Sequence, residues 1–227
     1  MNNLPVLTPR LALVASLVHD NIKVVDIGTD HAYIPVWLTL TNKCSDCIAA
    51  DIKKGPLGRA ENTVLRYNAN AVKLRLSNGL DDIMPSEADD IIIAGMGGVL
   101  ILQIINKCEW LFDCNKHLVL QPMTAQEELR QGLYENGFEI IEEAVAKEGS
   151  KLYVVMSVCY CGIKYTPDKL FCITGKLIDS DDPLAKEYIA SKREKLIKKV
   201  NGMRKAKIIT EELNELEKTI KSLEFRV

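Results

Sequence analysis

Over the first 160 residues, short apolar or β-branched runs alternate with amphipathic stretches, and this alternation restricts the fold more than any other feature of the chain. Strand-like runs occupy Lys23–Gly28, Cys47–Asp51, Val72–Ser77, Asp90–Gly95, His117–Gln121, Phe138–Val145 and Leu152–Cys159. Helix-like stretches fall between them at Ile34–Leu40, Leu57–Asn68, Val99–Ile105 and Ala125–Glu135. Strands separated by helices predict a parallel sheet with helices on both faces. The runs DIIIAG and HLVLQ are apolar almost throughout, as strands buried on both faces are. The last two runs meet at Gly149-Ser150 with no helix between them. They read as a hairpin, which makes one edge strand antiparallel. The fold class is therefore α/β, a doubly wound sheet.

Beyond this domain, residues 1–162, the pattern changes. Residues 163–180 show no period and read as a linker, and two helices follow from about Pro183. Ile209, Leu213, Leu216, Ile220 and Leu223 recur at steps of four and three, the spacing of a coiled-coil seam. Ile189, Leu196 and Met203 stand seven apart in the preceding helix, with Leu184, Tyr188 and Val200 filling in, and Gly202 with the polar residues after it divides the two. A helical hairpin is expected within residues 163–227.

The formal net charge of -2 hides an asymmetry between these parts. Residues 1–162 hold 14 Lys and Arg against 20 Asp and Glu, a net of -6; residues 163–227 hold 15 against 11, a net of +4. A polyanion is expected to dock on the tail. Lys186, Lys192, Arg193, Lys195, Lys198, Lys199, Arg204, Lys205 and Lys207 face only Glu187 and Glu194 over residues 186–207, a phosphate track or a solvated helix face. No apolar run approaches the ~20 residues that span a bilayer, and the start shows no signal peptide, so a cytoplasmic protein is expected. The seven cysteines are an odd number and argue against a disulfide framework. Cys44 and Cys47 give a single CxxC, two ligands where structural zinc takes four, and no metal is expected.

The run Lys23–Gly28 leads into Asp26-Ile27-Gly28-Thr29-Asp30-His31-Ala32, a strand, tight turn and helix start. Such a turn presents backbone N–H groups to a ligand at the carboxyl end of a parallel sheet. Asp51 ends the next strand 25 residues after Asp26, where an acidic residue receives the ribose hydroxyls of a nucleoside cofactor, with Ile52 beside it. A dinucleotide turn requires Gly-x-Gly-x-x-Gly; here Asp30 stands at the second glycine and would repel a pyrophosphate. S-adenosylmethionine (SAM) carries an ammonium and a sulfonium instead, which a carboxylate attracts. The bland alternative is that Asp26 and Asp30 only cap a helix. Asn78-Gly79-Leu80 follows the third strand and would pack against an adenine, or form a plain turn. Gly95-Met96-Gly97-Gly98 follows the fourth strand, and so many glycines imply a close approach to the backbone. No Asp/Asn-Pro-Pro-aromatic tetrad, the usual clamp for an exocyclic adenine amine, stands there, which favours a ring nitrogen as acceptor.

Taken together, these stretches resemble the TrmK family of bacterial tRNA (adenine-N1)-methyltransferases. The matching segments are Leu7–Leu11 (LTPRL), Val25–Pro35 (VDIGTDHAYIP), Lys54-Gly55-Pro56, Asn78-Gly79-Leu80, Ile93–Gly98 (IAGMGG) and Leu120-Gln121-Pro122. The resemblance runs from residue 4 to about 160, with the family's helical coiled-coil domain corresponding to the tail. Met123 and Lys53 depart from the family pattern. The resemblance implies a seven-stranded, class I Rossmann-like methyltransferase using SAM on an adenine N1 of tRNA, at position 22 of the D-arm. It places Arg10, Asp26, Gly28, Asp51, Ile52, Asn78, Gly79, Leu80, Gly95 and Met96 at the cofactor. Asp30, His31 and Tyr33 would act at the base, with Asp30 stabilising the developing positive charge or binding the cofactor's amino group. Gly97, Gly98, Gln121 and Pro122 would border the substrate, and Lys192, Arg193, Lys195, Lys199 and Arg204 would hold the tRNA. The alternatives are an NAD(P)-dependent oxidoreductase and a non-catalytic RNA-binding adaptor; a monomer or weak oligomer is expected.

Overall fold

The computed structural model describes residues 4–206 and 210–224. The chain divides into two compact units, Met1–Thr166 and Pro167–Val227. In the first, the elements run α1 (Pro9–Ser16), β1 (Ile22–Ile27), α2 (Tyr33–Leu40), β2 (Cys44–Asp51), α3 (Lys54–Tyr67), β3 (Val72–Leu76), β4 (Asp90–Gly97), α4 (Gly98–Lys107), β5 (His117–Thr124), α5 (Gln126–Glu135), β6 (Phe138–Glu148) and β7 (Lys151–Tyr160). They form one seven-stranded sheet in the order β3-β2-β1-β4-β5-β7-β6. The first five strands are mutually parallel, and β7 is antiparallel to both β5 and β6.

The central strands are the apolar runs of the sequence. Val24 and Val25 of β1, Ile91, Ile92 and Ile93 of β4 and Leu118, Val119 and Leu120 of β5 are all fully buried. Successive residues on a strand face opposite sides, so burial of both parities means helices cover both faces. Each such side chain contributes about 1.5–3 kcal/mol, and loss of several would unfold the unit.

Three sequence expectations need correction. The hairpin at Gly149-Ser150 forms as expected, but the antiparallel strand is not at the edge: β7 lies between β5 and β6. The β5–α5–β6 crossover skips one place in the sheet, and the hairpin returns β7 into that gap. Residues 163–180 are not a featureless linker. They carry α6 (Lys169–Thr174), N-capped by Asp168 through its bond from the Phe171 N–H at 2.7 Å, and a 3-10 turn over Gly175–Asp179. Six residues are too few to display a helical period. Finally, Gly202 does not break the tail, because α7 runs from Pro183 through it to Lys205. One exposed glycine costs a helix only about 1 kcal/mol, which a 23-residue helix absorbs.

α1 was not foreseen as a helix. Pro9 at its first position suits a helix start, and Val14 and Ala15 are buried against the sheet. In the second unit, α7 pairs with α8 (Glu211–Glu224) around Val200, Leu213 and Leu216, flanked by Leu196, Met203 and Ile220. This is the helical hairpin; Ile209 and Lys207 lie outside the described residues.

Candidate cofactor and active site

The sheet order reverses between β1 and β4, so their carboxyl ends diverge and open a crevice, the place where open α/β sheets bind ligands. A cleft of about 380 Å³ occupies it, lined by Arg10, Leu11, Asp26, Gly28, Thr29, Asp30, His31, Tyr33, Ile34, Ala94 and Gly95. A second cleft of about 330 Å³ lies between the loop after β3 and α4, lined among others by Asn78, Gly79, Leu80, Ile104, Lys107 and Trp110.

The turn after β1 departs from ordinary backbone at three places. Gly28, His31 and Ala32 have φ of +75°, +71° and +53°. Only Gly28 adopts this region without steric cost, and a Cβ there would also collide with the Met96 side chain. Left-handed His31 and Ala32 are strained by roughly 1 kcal/mol or more each, and such strain concentrates at functional turns. The helix-capping alternative fails, since Ala32 is the N-cap of α2 and no side chain caps it. Nor do all the turn amides face a ligand: Gly28 N–H and Thr29 N–H both donate to Ala50 carbonyl, at 2.8 and 3.0 Å.

Asp26 is 6% exposed, and its carboxyl is pushed up to about 6. Burial is the main cause, the Thr29 hydroxyl beside it opposes the shift, and the Asp51 charge adds to it. Asp51 ends β2 and accepts the Lys53 backbone N–H at 2.7 Å. Ile52 is 59% exposed beside it, leaving an apolar surface for a flat ring. Thr29 Oγ1 is buried at the cleft beside the Asp26 carboxyl. A buried hydroxyl and two carboxylates suit a ligand that brings cationic and hydroxyl groups.

Asp30 stands at the rim, where Arg59 Nε from α3 donates to its Oδ1 at 2.7 Å and His31 Nε2 lies at 3.7 Å. The Arg59 hydrogen bond, against a smaller burial effect, holds the Asp30 carboxyl below its usual range. The His31 and Tyr33 rings lie parallel, 5.5 Å apart with 6° between planes, and form an aromatic wall of the cleft. Arg59 was not anticipated; its helix position gives no signal until the fold brings it to Asp30.

Gln121 is fully buried and so does not border a substrate directly. Its Oε1 accepts from Arg10 Nη1 at 2.9 Å and from Gly95 N–H at 3.2 Å. The backbone N–H of Arg10 donates to Glu148 at 2.9 Å, and its guanidinium lies over the Tyr153 ring. Gln121 thus positions Arg10 and Gly95, while Pro122 is buried beneath it. The close approach that the glycines imply is intramolecular at two positions. A Cβ on Gly98 would lie 2.2 Å from Ala125 carbonyl oxygen, and one on Gly97 3.2 Å from Thr124 Oγ1. Gly95, with φ +77°, is the one that lines the cleft. Gly79 has φ +61° and packs on Ile104, Leu80 is buried, and Asn78 bonds Asp81 at 3.1 Å.

On α7 the basic residues divide. Arg193, Lys199 and Arg204 pair with Glu224, Glu212 and Glu217 of α8 at 2.6, 2.7 and 2.7 Å. Lys192 lies over the Tyr188 ring. Lys195, Lys198 and Lys205 are exposed and, among the described residues, have no acidic partner. Their spacing of three and seven puts them on one stripe of the helix.

A doubly wound sheet with acidic strand ends at its switch point is the layout of Rossmann-like methyltransferases. Residues 7–156 match a family model described as a methyltransferase domain. The tRNA (adenine(22)-N(1))-methyltransferase of Bacillus subtilis is 36% identical over 157 residues, 69% of this chain and 66% of that protein. The crystal structure of a putative tRNA (m1A22) methyltransferase of Streptococcus pneumoniae in complex with S-adenosyl-L-methionine superposes with a TM-score of 0.83 at 28% identity, covering 96% of this chain and 99% of that one. The crystal structure of TrmK from B. subtilis gives 0.79 at 28% identity, covering 97% and 95%. The chain belongs to this methyltransferase family, in its TrmK branch. The dinucleotide-oxidoreductase alternative falls with that membership.

Proposed function

We propose that this protein transfers the methyl group of SAM to N1 of an adenine in tRNA, at position 22. The observation that carries the reading is one cleft at the switch point that joins the Asp26 strand end and the Asp30 carboxylate to the parallel His31–Tyr33 ring wall. SAM supplies a methyl carbon activated by its sulfonium. Asp51 would accept its ribose hydroxyls, Asp26 and Thr29 its polar groups, and Ile52 with Asn78, Gly79 and Leu80 its adenine.

The chain's task is then to place and hold. Neutral adenine N1 already bears a lone pair, so no residue has to remove a proton before attack; positioning provides most of the rate. The new N–CH3 bond forms as the C–S bond breaks, its electron pair staying on sulfur, and the base becomes cationic. His31 and Tyr33 would stack on the base, and the ionised Asp30 would stabilise the growing charge. Arg59 shares that carboxylate, so it tunes the negative potential available to the base. The tRNA backbone would lie on the Lys195, Lys198 and Lys205 stripe; Arg193, Lys199 and Arg204 instead hold the hairpin together.

Incubation with SAM and unmodified tRNA, followed by nucleoside mass spectrometry, should give N1-methyladenosine. An Asp30→Ala variant should lose most methylation while melting like the wild type. RNA binding with no methyl transfer by the wild type would instead mark a non-catalytic adaptor.

A further inference from the structure

At the opposite end of the sheet from the cleft, His19, Asp90 and His117 form a cluster of their own. Asp90 and His117 are the first residues of β4 and β5 and pair across the ladder; His19 lies in the segment joining α1 to β1. One potential ligand atom from each falls within 4.8 Å of the others. His19 Nδ1 is 3.1 Å from Asp90 Oδ1, and His117 Nδ1 is 2.9 Å from Asp90 Oδ2. The two imidazole rings are 4.2 Å apart.

Two observations bear on what this polar network can bind. The buried His117 ring meets Asp90 through Nδ1, 2.9 Å from Oδ2, and Ser157 through Nε2, 2.8 Å from Oγ. A proton on Nδ1 satisfies the Asp90 contact when Ser157 donates to Nε2; when Nε2–H donates to Ser157 instead, Nδ1 presents a lone pair toward a carboxylate oxygen 2.9 Å away. Two electron-rich atoms at that distance repel unless a cation lies beside both. The Asp90 side chain is itself 2% exposed. A buried carboxylate is ordinarily paired or bound to a metal.

We propose that His19 Nδ1, an Asp90 carboxylate oxygen and His117 Nδ1 bind a divalent cation of the zinc class. Two imidazoles and one carboxylate are a frequent three-ligand set for such ions and leave a fourth position open. That position faces a cleft also lined by Cys114, Asn115 and Cys159. Bonds of ~2.0–2.1 Å in a tetrahedron put ligand atoms roughly 3.4 Å apart, so the cluster must widen by a few tenths of an ångström. His19, with 63% of its side chain exposed, is free to supply that movement. Ser157 Oγ, 2.8 Å from His117 Nε2, can accept its proton and leave Nδ1 for the ion, as outer partners of metal-bound histidines do. The nearby Lys116 ammonium is committed to the carbonyls of Pro85 and Ala88 at 2.8 and 2.7 Å, with Asp89 at 3.7 Å, so it does not occupy the site. The cysteine spacing that argued against zinc does not bear on this cluster, whose three ligands are brought together only by the fold. The ion would staple the segment after α1 to the starts of β4 and β5.

The test is calorimetric titration of zinc chloride into chelator-treated full-length protein, in a Cys114→Ser/Cys161→Ser background so that exposed thiols do not compete. One zinc per chain is expected, with affinity at least ten-fold weaker in His19→Ala, whose exposed ring makes it the safe substitution for folding. Ser157→Ala should keep the stoichiometry and lose about ten-fold in affinity. Zinc at a hundred-fold excess over Kd should raise Tm by roughly 5 °C or more in the parent and not in His19→Ala. No zinc binding by the parent, or identical affinity and stoichiometry in His19→Ala, would overturn the proposal.

Discussion

Replacing Asp26 by Asn should make the ligand-free protein more stable while removing its affinity for SAM. The Asp26 carboxyl sits at about 6 instead of 3.8 because burial penalises its charge. At 1.36 kcal/mol per tenfold, that difference is about 3 kcal/mol against the folded state. The sign follows from linkage: the folded protein holds this proton more tightly than the unfolded chain does. The penalty is therefore complete above about pH 6 and absent below about 3.8. An Asn amide carries a desolvation cost of its own, about 1–2 kcal/mol, leaving a net gain of about 1.5 kcal/mol. For a protein of this size that raises Tm by about 3–6 °C. Trp37 and Trp110 both lie in the first unit, so tryptophan emission follows the unit that matters. Melts at pH 8 should show Asp26→Asn above the wild type, and melts at pH 4 should show the order reversed by about 1 kcal/mol, since the Asn cost remains when the charge penalty has gone. Calorimetry with SAM at pH 8 should show binding only for the wild type. A variant less stable than wild type at pH 8, or a difference that does not change with pH, would refute the burial argument.

Other substitutions probe neighbouring claims. Gly98→Ala drives a methyl into the Ala125 carbonyl and should cost about 1–3 kcal/mol, whereas Gly58→Ala, with open space around it in α3, should be neutral or slightly stabilising in the same thermal melts. Gln121→Leu strips the acceptor from Arg10 and from Gly95 N–H, and should weaken SAM binding by about ten-fold, the equivalent of one lost hydrogen bond at a buried site, measured by calorimetry. Reversing Lys195, Lys198 and Lys205 to Glu should weaken tRNA binding and lower the slope of log K against log salt by about 2 or more, whereas Lys199→Glu, which breaks the pair with Glu212, should act chiefly on Tm.

The parts of this fold that were legible in the sequence are those set by a local period. The five parallel strands and their helices followed from apolar runs and amphipathic spacing, and the hairpin from Gly149-Ser150. The position of β7 was not legible, because strand order is decided by which gap a crossover leaves, and no residue in β7 states its neighbours. In the cleft, Gly28, Asp26 and Asp51 were readable because strand-end chemistry is tied to position along the chain. Arg59, 29 residues beyond Asp30, and Gln121, which faces inward to Arg10, were not readable as to role. Their meaning lies in a hydrogen bond between distant segments. The same limit applies to the basic tail: composition gave the charge of α7, but only α8 shows which cations are already neutralised.

Where local rules are broken, the breaks gather at the two ends of the same central strands. At the carboxyl end are a buried Asp26 carboxyl pushed up to about 6 and two strained residues at His31 and Ala32. At the amino end the buried Asp90 carboxyl meets the rings of His117 and His19 at 2.9 and 3.1 Å. Between them the strands hold only fully buried aliphatic side chains, in full agreement with their sequence pattern. A fold keeps unfavourable polar arrangements of this kind only where surrounding packing enforces them, and function is the usual reason for retaining them. The rigid apolar centre can enforce both at once, since Asp26, Asp90 and His117 each sit one residue beyond a fully buried run and the turn with Thr29, His31 and Ala32 follows directly on β1. That distribution explains why Asp26→Asn should stabilise the protein, and it treats the His19–Asp90–His117 cluster by the same physical standard as the cofactor turn.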